Sequence, residues 1–209
     1  MSTVTRGSEK RIVLNDVSWA TFLALSKEAS GGRLTYDRGR LEITSPSYEH
    51  ENVKGLIGRL VEVYTEELGI DISTAGSTTL SREDLDRGIE PDECYYVAGA
   101  GRIRGQDDID LKLDPPPDLA IEVDILRSSI NKLAVCAAIG IAEVWRYDGS
   151  AVEVYVLQGD ASYARSQARV AFEKFPLDEL NRLLQHRGTH SETQIARNFR
   201  QWIRDRVTA

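Results

Sequence analysis

The sequence predicts an α/β domain in which a central mixed sheet is flanked by helices and followed by a C-terminal helical extension, with residues 1–209 forming one domain. Three observations carry that expectation. Residues 115–147, PPPDLAIEVDILRSSINKLAVCAAIGIAEVWRY, read as strand, turn, helix and strand, the unit from which open α/β sheets are built. Elsewhere, segments with apolar residues spaced by three and four are interspersed with segments of period two. The chain has 209 residues, 41% of them hydrophobic and 28% charged, which suits one globular core without disulfide staples.

In order along the chain, the first predicted helix covers residues 18–29, with Trp19, Phe22, Leu23 and Leu25 as its apolar stripe and Gly31-Gly32 as its stop. A hairpin follows over residues 33–36 and 40–44, turning at Asp37-Arg38-Gly39. Ser45-Pro46-Ser47 then introduces a long helix over residues 48–68, closed by Gly69. Residues 70–80 supply one or two strands and residues 93–97 another, with Asp92 at its mouth. Residues 98–117 form a Gly-rich and then Pro-rich connection.

The strand at residues 118–125 puts Leu119, Ile121, Val123 and Ile125 on one face and Asp118, Glu122 and Asp124 on the other. Ser128 or Ser129 is positioned to cap the next helix, which ends near Gly140. Strands over 142–147 and 151–157 pair about Asp148-Gly149-Ser150, a further strand is expected at 168–172, and a helix covers 177–186. The box Thr189-x-x-Glu192 opens the C-terminal amphipathic helix of residues 189–209, whose Arg197, Arg200, Arg204 and Arg206 suit a phosphate-contacting arm, a dimer contact at Trp202, or a solvated basic face.

Composition narrows the function. A net charge of −7 argues against nonspecific coating of nucleic acid, no stretch has the length of a membrane span, and Cys94 and Cys136 lack metal-like spacing. With no apolar secretion core at the N-terminus, a reducing cytoplasm is the expected compartment. There is no Gly-rich phosphate loop with Lys-Ser/Thr, no G-x-S-x-G elbow, and no ligand pattern among His50, His186 and His190, while Gly99-x-Gly101 does not open a predicted helix.

The chemistry concentrates at Glu122. A carboxylate within an apolar strand must sit at an edge, pair with a cation or bind a metal, because an isolated buried charge is prohibitively costly. Lys132 lies on the helix after that strand, at the end where α/β units bind ligands. Carboxylates for a hard divalent ion with a lysine for a phosphate make a phosphoryl-transfer site, Mg²⁺ or Mn²⁺ being favoured over Zn²⁺. Gathered acids should repel one another without the ion, so removing one is expected to leave the apo fold intact or firmer. Asp118, about 13 Å from Glu122 along the strand, reads as a hydrogen-bonding residue at the strand start.

Asp92, thirty residues before Glu122 and preceded by proline, gives a pattern that resembles the PD-(D/E)xK nuclease superfamily. More closely, SPSYEH, EPDECYYV, PDLAIEV and GIAEVWRYD, in that order over residues 19–184, resemble a restriction-endonuclease-like family abundant in cyanobacterial genomes. The resemblance implies a restriction-endonuclease-like fold, with Asp92 and Glu122 as ligands of Mg²⁺ and duplex DNA as substrate. It implies Lys132 as the catalytic lysine, since the motif position two residues after the glutamate is occupied by Asp124. It also implies a first-helix acid, Glu49 or Glu51, and a role for His50. A Mg²⁺-dependent DNA endonuclease, working as a homodimer, is the expected function. The alternative is a catalytically inactive relative that binds DNA or protein, and a third reading is a structural or regulatory domain with a protein partner.

Overall fold

The hairpin forms as β2 (Arg33–Asp37) and β3 (Arg40–Ser45) in the computed structural model, which describes residues 9–28, 32–125 and 128–206. Arg38 and Gly39 make its turn with φ of 49° and 84°, the left-handed backbone that tight hairpins need. The hairpin does not join the main sheet. With β1 (Lys10–Leu14), β5 (Leu80–Arg82) and β6 (Arg87–Ile89) it makes an antiparallel sheet of order β1-β3-β2-β6-β5. The single central sheet of the sequence reading is therefore accompanied by a second one, and β1 was not foreseen.

Helix α1 (Trp19–Glu28) lies on this second sheet. Phe22 stacks on Tyr36 with ring centroids 4.9 Å apart. Gly88 is required beneath it, because a Cβ there would stand 2.4 Å from the Phe22 ring. The predicted end of this helix at residues 29–31 lies outside the described residues.

The mixed sheet contains β4 (Ser73–Thr74), β7 (Glu93–Tyr96), β8 (Leu119–Val123), β9 (Glu143–Tyr147), β10 (Val152–Leu157) and β11 (Tyr163–Ser166) in the order β11-β10-β9-β8-β7-β4. Its parallel pair is β8 with β9, joined by α4 (Lys132–Ile139) as the crossover. All five residues of β8 are buried. Leu119, Ile121 and Val123 face α2 (Tyr48–Leu68), α5 (Leu177–Leu184) and α6 (Glu192–Arg206), whereas Ala120 faces the layer that holds α4, Leu80 and Ile89. By alternation Glu122 shares the α4 side, between the two sheets.

Several boundaries shifted for physical reasons. Asn131 caps α4 by accepting from Ala134 N at 3.2 Å, because Ser128 and Ser129 are committed to Glu42. Ser191 caps α6 by accepting from Gln194 N, while the Thr189 hydroxyl donates to His186 O. The strand expected at 168–172 is absent: buried Glu143 accepts from Val170 N and Ala171 N, and Phe172 plugs the core. Residues 98–117 contain a one-turn helix α3 (Ala100–Ile103) that Gly99 opens. Asp118 accepts there from Val97 N at 2.7 Å and Gly99 N at 3.2 Å, so a carboxylate fills the turn where a phosphate would have to sit.

The C-terminal helix docks on α2. Ile195, Phe199 and Ile203 are buried in the main core, and Trp202 packs against it with Arg206 5.3 Å above its ring. Arg200 pairs with Glu66 and Glu67, and Arg204 with Glu67. Trp202, Arg200 and Arg204 thus each make a contact within the chain, and the Arg204 side chain keeps 55% exposure. No helix among the described residues is long and apolar enough to cross a membrane.

Candidate active site

Glu122, near the end of β8, is 2% exposed. Lys132, the first residue of α4, reaches back so that Nζ donates to Glu122 Oε2 at 2.7 Å. Glu122 Oε1 is buried with no hydrogen-bond partner. Burial pushes this carboxyl up to about 7, opposed by Lys132 and assisted by the charge of Asp92. Burial would lower the Lys132 ammonium, but Glu122 and Asp92 outweigh it and hold Lys132 protonated.

Asp92, at the mouth of β7 and 1% exposed, is held from three elements. Its Oδ2 accepts from Val123 N on β8 at 2.7 Å and lies 3.1 Å from His50 Nε2 on α2. Its Oδ1 accepts from Arg33 Nε on β2 at 2.6 Å. Burial would raise the Asp92 carboxyl, yet the His50 bond and the Lys132 charge hold it well below its ordinary value. His50 is placed by the helix start, where Ser47 Oγ accepts from His50 N. Burial disfavours its imidazolium, and the Asp92 hydrogen bond overrides that and raises its pKa.

Of the two candidate acids on the first turn of α2, Glu51 turns toward this group: Arg33 Nη2 donates to Glu51 Oε1 at 2.9 Å. Glu49 does not. Its carboxylate pairs with Arg187 at 2.8 Å on the surface, with its side chain 58% exposed, because successive helical positions two apart point to different faces. Asp124, at the motif's lysine position, accepts from Arg146 Nη2 at 2.6 Å and from Arg11 Nη2 at 3.3 Å.

A cleft of about 470 Å³ opens on this group, lined by Glu122, Asp124, Lys132, Arg146 and the segment Ser128–Asn131. The floor of that segment is anchored from the other sheet, where Glu42 accepts from Ser128 Oγ at 2.6 Å and from Ser129 N at 2.8 Å. The unpartnered Glu122 Oε1 is a hard oxygen donor on the cleft wall, while Asp92 lies outside the cleft lining and its Oδ1 takes one protein donor, from Arg33. Among the described residues no three His, Cys, Asp or Glu side chains group as ligands, so water and substrate oxygens would complete the shell, as is usual for Mg²⁺.

The profile of the family described as "Uma2: Putative restriction endonuclease" matches residues 19–187. The chain belongs to the Uma2 family. Its fold is restriction-endonuclease-like, and it is similar to the crystal structure of "a putative nuclease belonging to DUF820" from Anabaena variabilis, with a TM-score of 0.52 and 16% identity over 88% of this chain and 99% of that one. No curated protein matches the sequence.

For this Uma2 chain, sequence reasoning brought Asp92, Glu122, Lys132 and His50 to one place but missed the cations that accompany them. Arg33 begins a hairpin strand, Arg11 lies on an unforeseen strand, and Arg146 sits in EVWRY with no local cue. The available signal for Arg146 was register: it stands directly opposite Glu122 on the parallel neighbour.

Proposed function

We propose that the chain is a Mg²⁺-dependent DNA endonuclease that hydrolyses phosphodiester bonds, with Mn²⁺ as a substitute ion. Glu122 carries this reading: a buried carboxylate on the wall of an open cleft, with one oxygen bound to a lysine and the other left without a partner. Family membership supports it. Asp92 and Glu122 would hold the ion, which supplies Lewis-acid polarisation of the scissile phosphate.

The chain's own residues have separable tasks. Arg33, His50 and Val123 N fix the Asp92 carboxylate in one orientation, and Glu51 steadies Arg33. Lys132, held protonated, places positive charge where a phosphoryl group gains negative charge, so it acts as an electrostatic stabiliser. Duplex DNA is the substrate, and two copies about a twofold axis would cut both strands.

Incubation of supercoiled plasmid with Mg²⁺, Mn²⁺ or chelator tests the reading. Nicked or linear product with either ion, absent with chelator and absent for Glu122→Gln, is expected. Intact plasmid with both ions would overturn it.

A second reading, a catalytically inactive relative that binds DNA or protein, is favoured by one observation. Asp92 already accepts from Arg33 and Val123 N and lies within bonding distance of His50, so protein donors occupy much of its capacity. A Mn²⁺ titration that leaves the melting temperature unchanged would select this reading over the first.

A further inference from the structure

The position at which the motif places a lysine holds an acid, and the fold answers that inversion with a cation from the next strand. Arg146 on β9 stands directly opposite Glu122 in the parallel register, so both side chains leave the same face of the sheet, with Asp124 two residues on. Arg146 Nε and Nη2 both donate to one oxygen of Asp124, at 3.1 and 2.6 Å. Asp124 is in turn the middle of an alternating series, Glu9–Arg11–Asp124–Arg146, whose first contact is 2.6 Å and whose positive end lines the cleft.

We propose that Arg146, oriented by Asp124, contacts a backbone phosphate of nucleic acid in the cleft; this rests on the endonuclease reading above. A guanidinium has five N–H donors in a rigid fork; two of them are spent on Asp124, and the Tyr155 hydroxyl also engages the group. Held in this way at 32% side-chain exposure, it meets a phosphate without first losing rotamer freedom. Flanking groups on β10 are Tyr155 and Glu153, and Glu153 is occupied by the Tyr155 hydroxyl at 2.8 Å and by Arg165 at 2.9 Å. Asp124 is a positioning residue: it neutralises nothing on the substrate and sets where the guanidinium points.

Equilibrium binding of a fluorescein-labelled duplex, with Ca²⁺ in place of a catalytic ion, tests this between about 50 and 200 mM salt. Arg146→Gln should weaken binding about tenfold and reduce the salt slope by about one. The double variant Arg146→Gln with Asp124→Asn removes one charge of each sign, so net charge is unchanged and neither partner is left buried alone. It should show the same loss of slope. Arg165→Gln, which removes a cation outside the cleft lining, should bind like wild type. Wild-type affinity and slope in the double variant would overturn the Arg146 assignment while leaving the endonuclease reading in place. Failure of the wild-type protein to bind the duplex would overturn both.

Discussion

Lys132 Nζ and Glu122 Oε2 lie 2.7 Å apart across the loop that joins β8 to α4, with side-chain exposures of 12% and 3%. An ion pair this buried is poorly replaced from one side, because removing either partner strands the other in a low-dielectric interior. A lysine drawn from the following helix thus occupies the site, at a spacing the superfamily motif does not contain.

Lys132→Ala should lower the cleavage rate by at least about 10²-fold, the scale of losing one electrostatic group, and destabilise the fold by about 3–5 kcal/mol. Lys132→Arg should rescue poorly, since a planar guanidinium is bulkier than an ammonium and does not present the same compact point charge. Single-turnover kinetics beside urea denaturation separate the two effects, and a variant with wild-type values in both would remove Lys132 from the site.

Asp92→Ala should destabilise by about 3–5 kcal/mol, contrary to the expectation of a self-repelling acidic cluster. The acids are interleaved with Arg33, His50 and Lys132, so the loss of Asp92 leaves buried donors unmatched, the Val123 N–H among them. Urea unfolding that shows equal or greater stability for the variant would restore the self-repulsion picture.

Glu42 should make the fold acid-sensitive through the cleft loop. Burial pushes its carboxyl up, but the Ser128 and Ser129 hydroxyls and the Ser129 N–H outweigh burial and hold it below its ordinary 4.5. A lowered folded-state pKa means stability that is present above pH 4.5 and lost as pH falls below it. Glu42→Gln should therefore melt lower than wild type at neutral pH, with the gap closing as pH falls below that value. A gap that stays constant with pH in a melting series would contradict this.

Phe199→Ala should cost about 3–5 kcal/mol, since Phe199 is 0% exposed and its ring centroid lies 6.0 Å from that of Phe175. A surface arm would give a loss near zero in the same thermal denaturation, so this substitution discriminates a docked helix from a free one.

What could be read from sequence was what is local. The helix at residues 48–68 was legible to its ends because Ser47 caps it and Gly69 closes it at a φ of 63°, both short-range effects. Asp92, Glu122 and Lys132 converge because one strand, one loop and one helix start carry them. Arg33 and Arg11 were invisible because Arg33 reaches Asp92, and Arg11 reaches Asp124, only across the two sheets, 59 and 113 residues away in sequence. The misplaced strand at 168–172 had the same cause: Glu143 claims its backbone donors from 27 and 28 residues away.

Calorimetric titration with Mn²⁺ tests the central claim, that Glu122 with Asp92 holds a divalent cation, most directly. One saturable ion per chain is expected for wild type, none for Glu122→Gln, and equal or tighter binding for Lys132→Ala, where a competing cation has been removed. Unchanged Mn²⁺ binding in Glu122→Gln would contradict it.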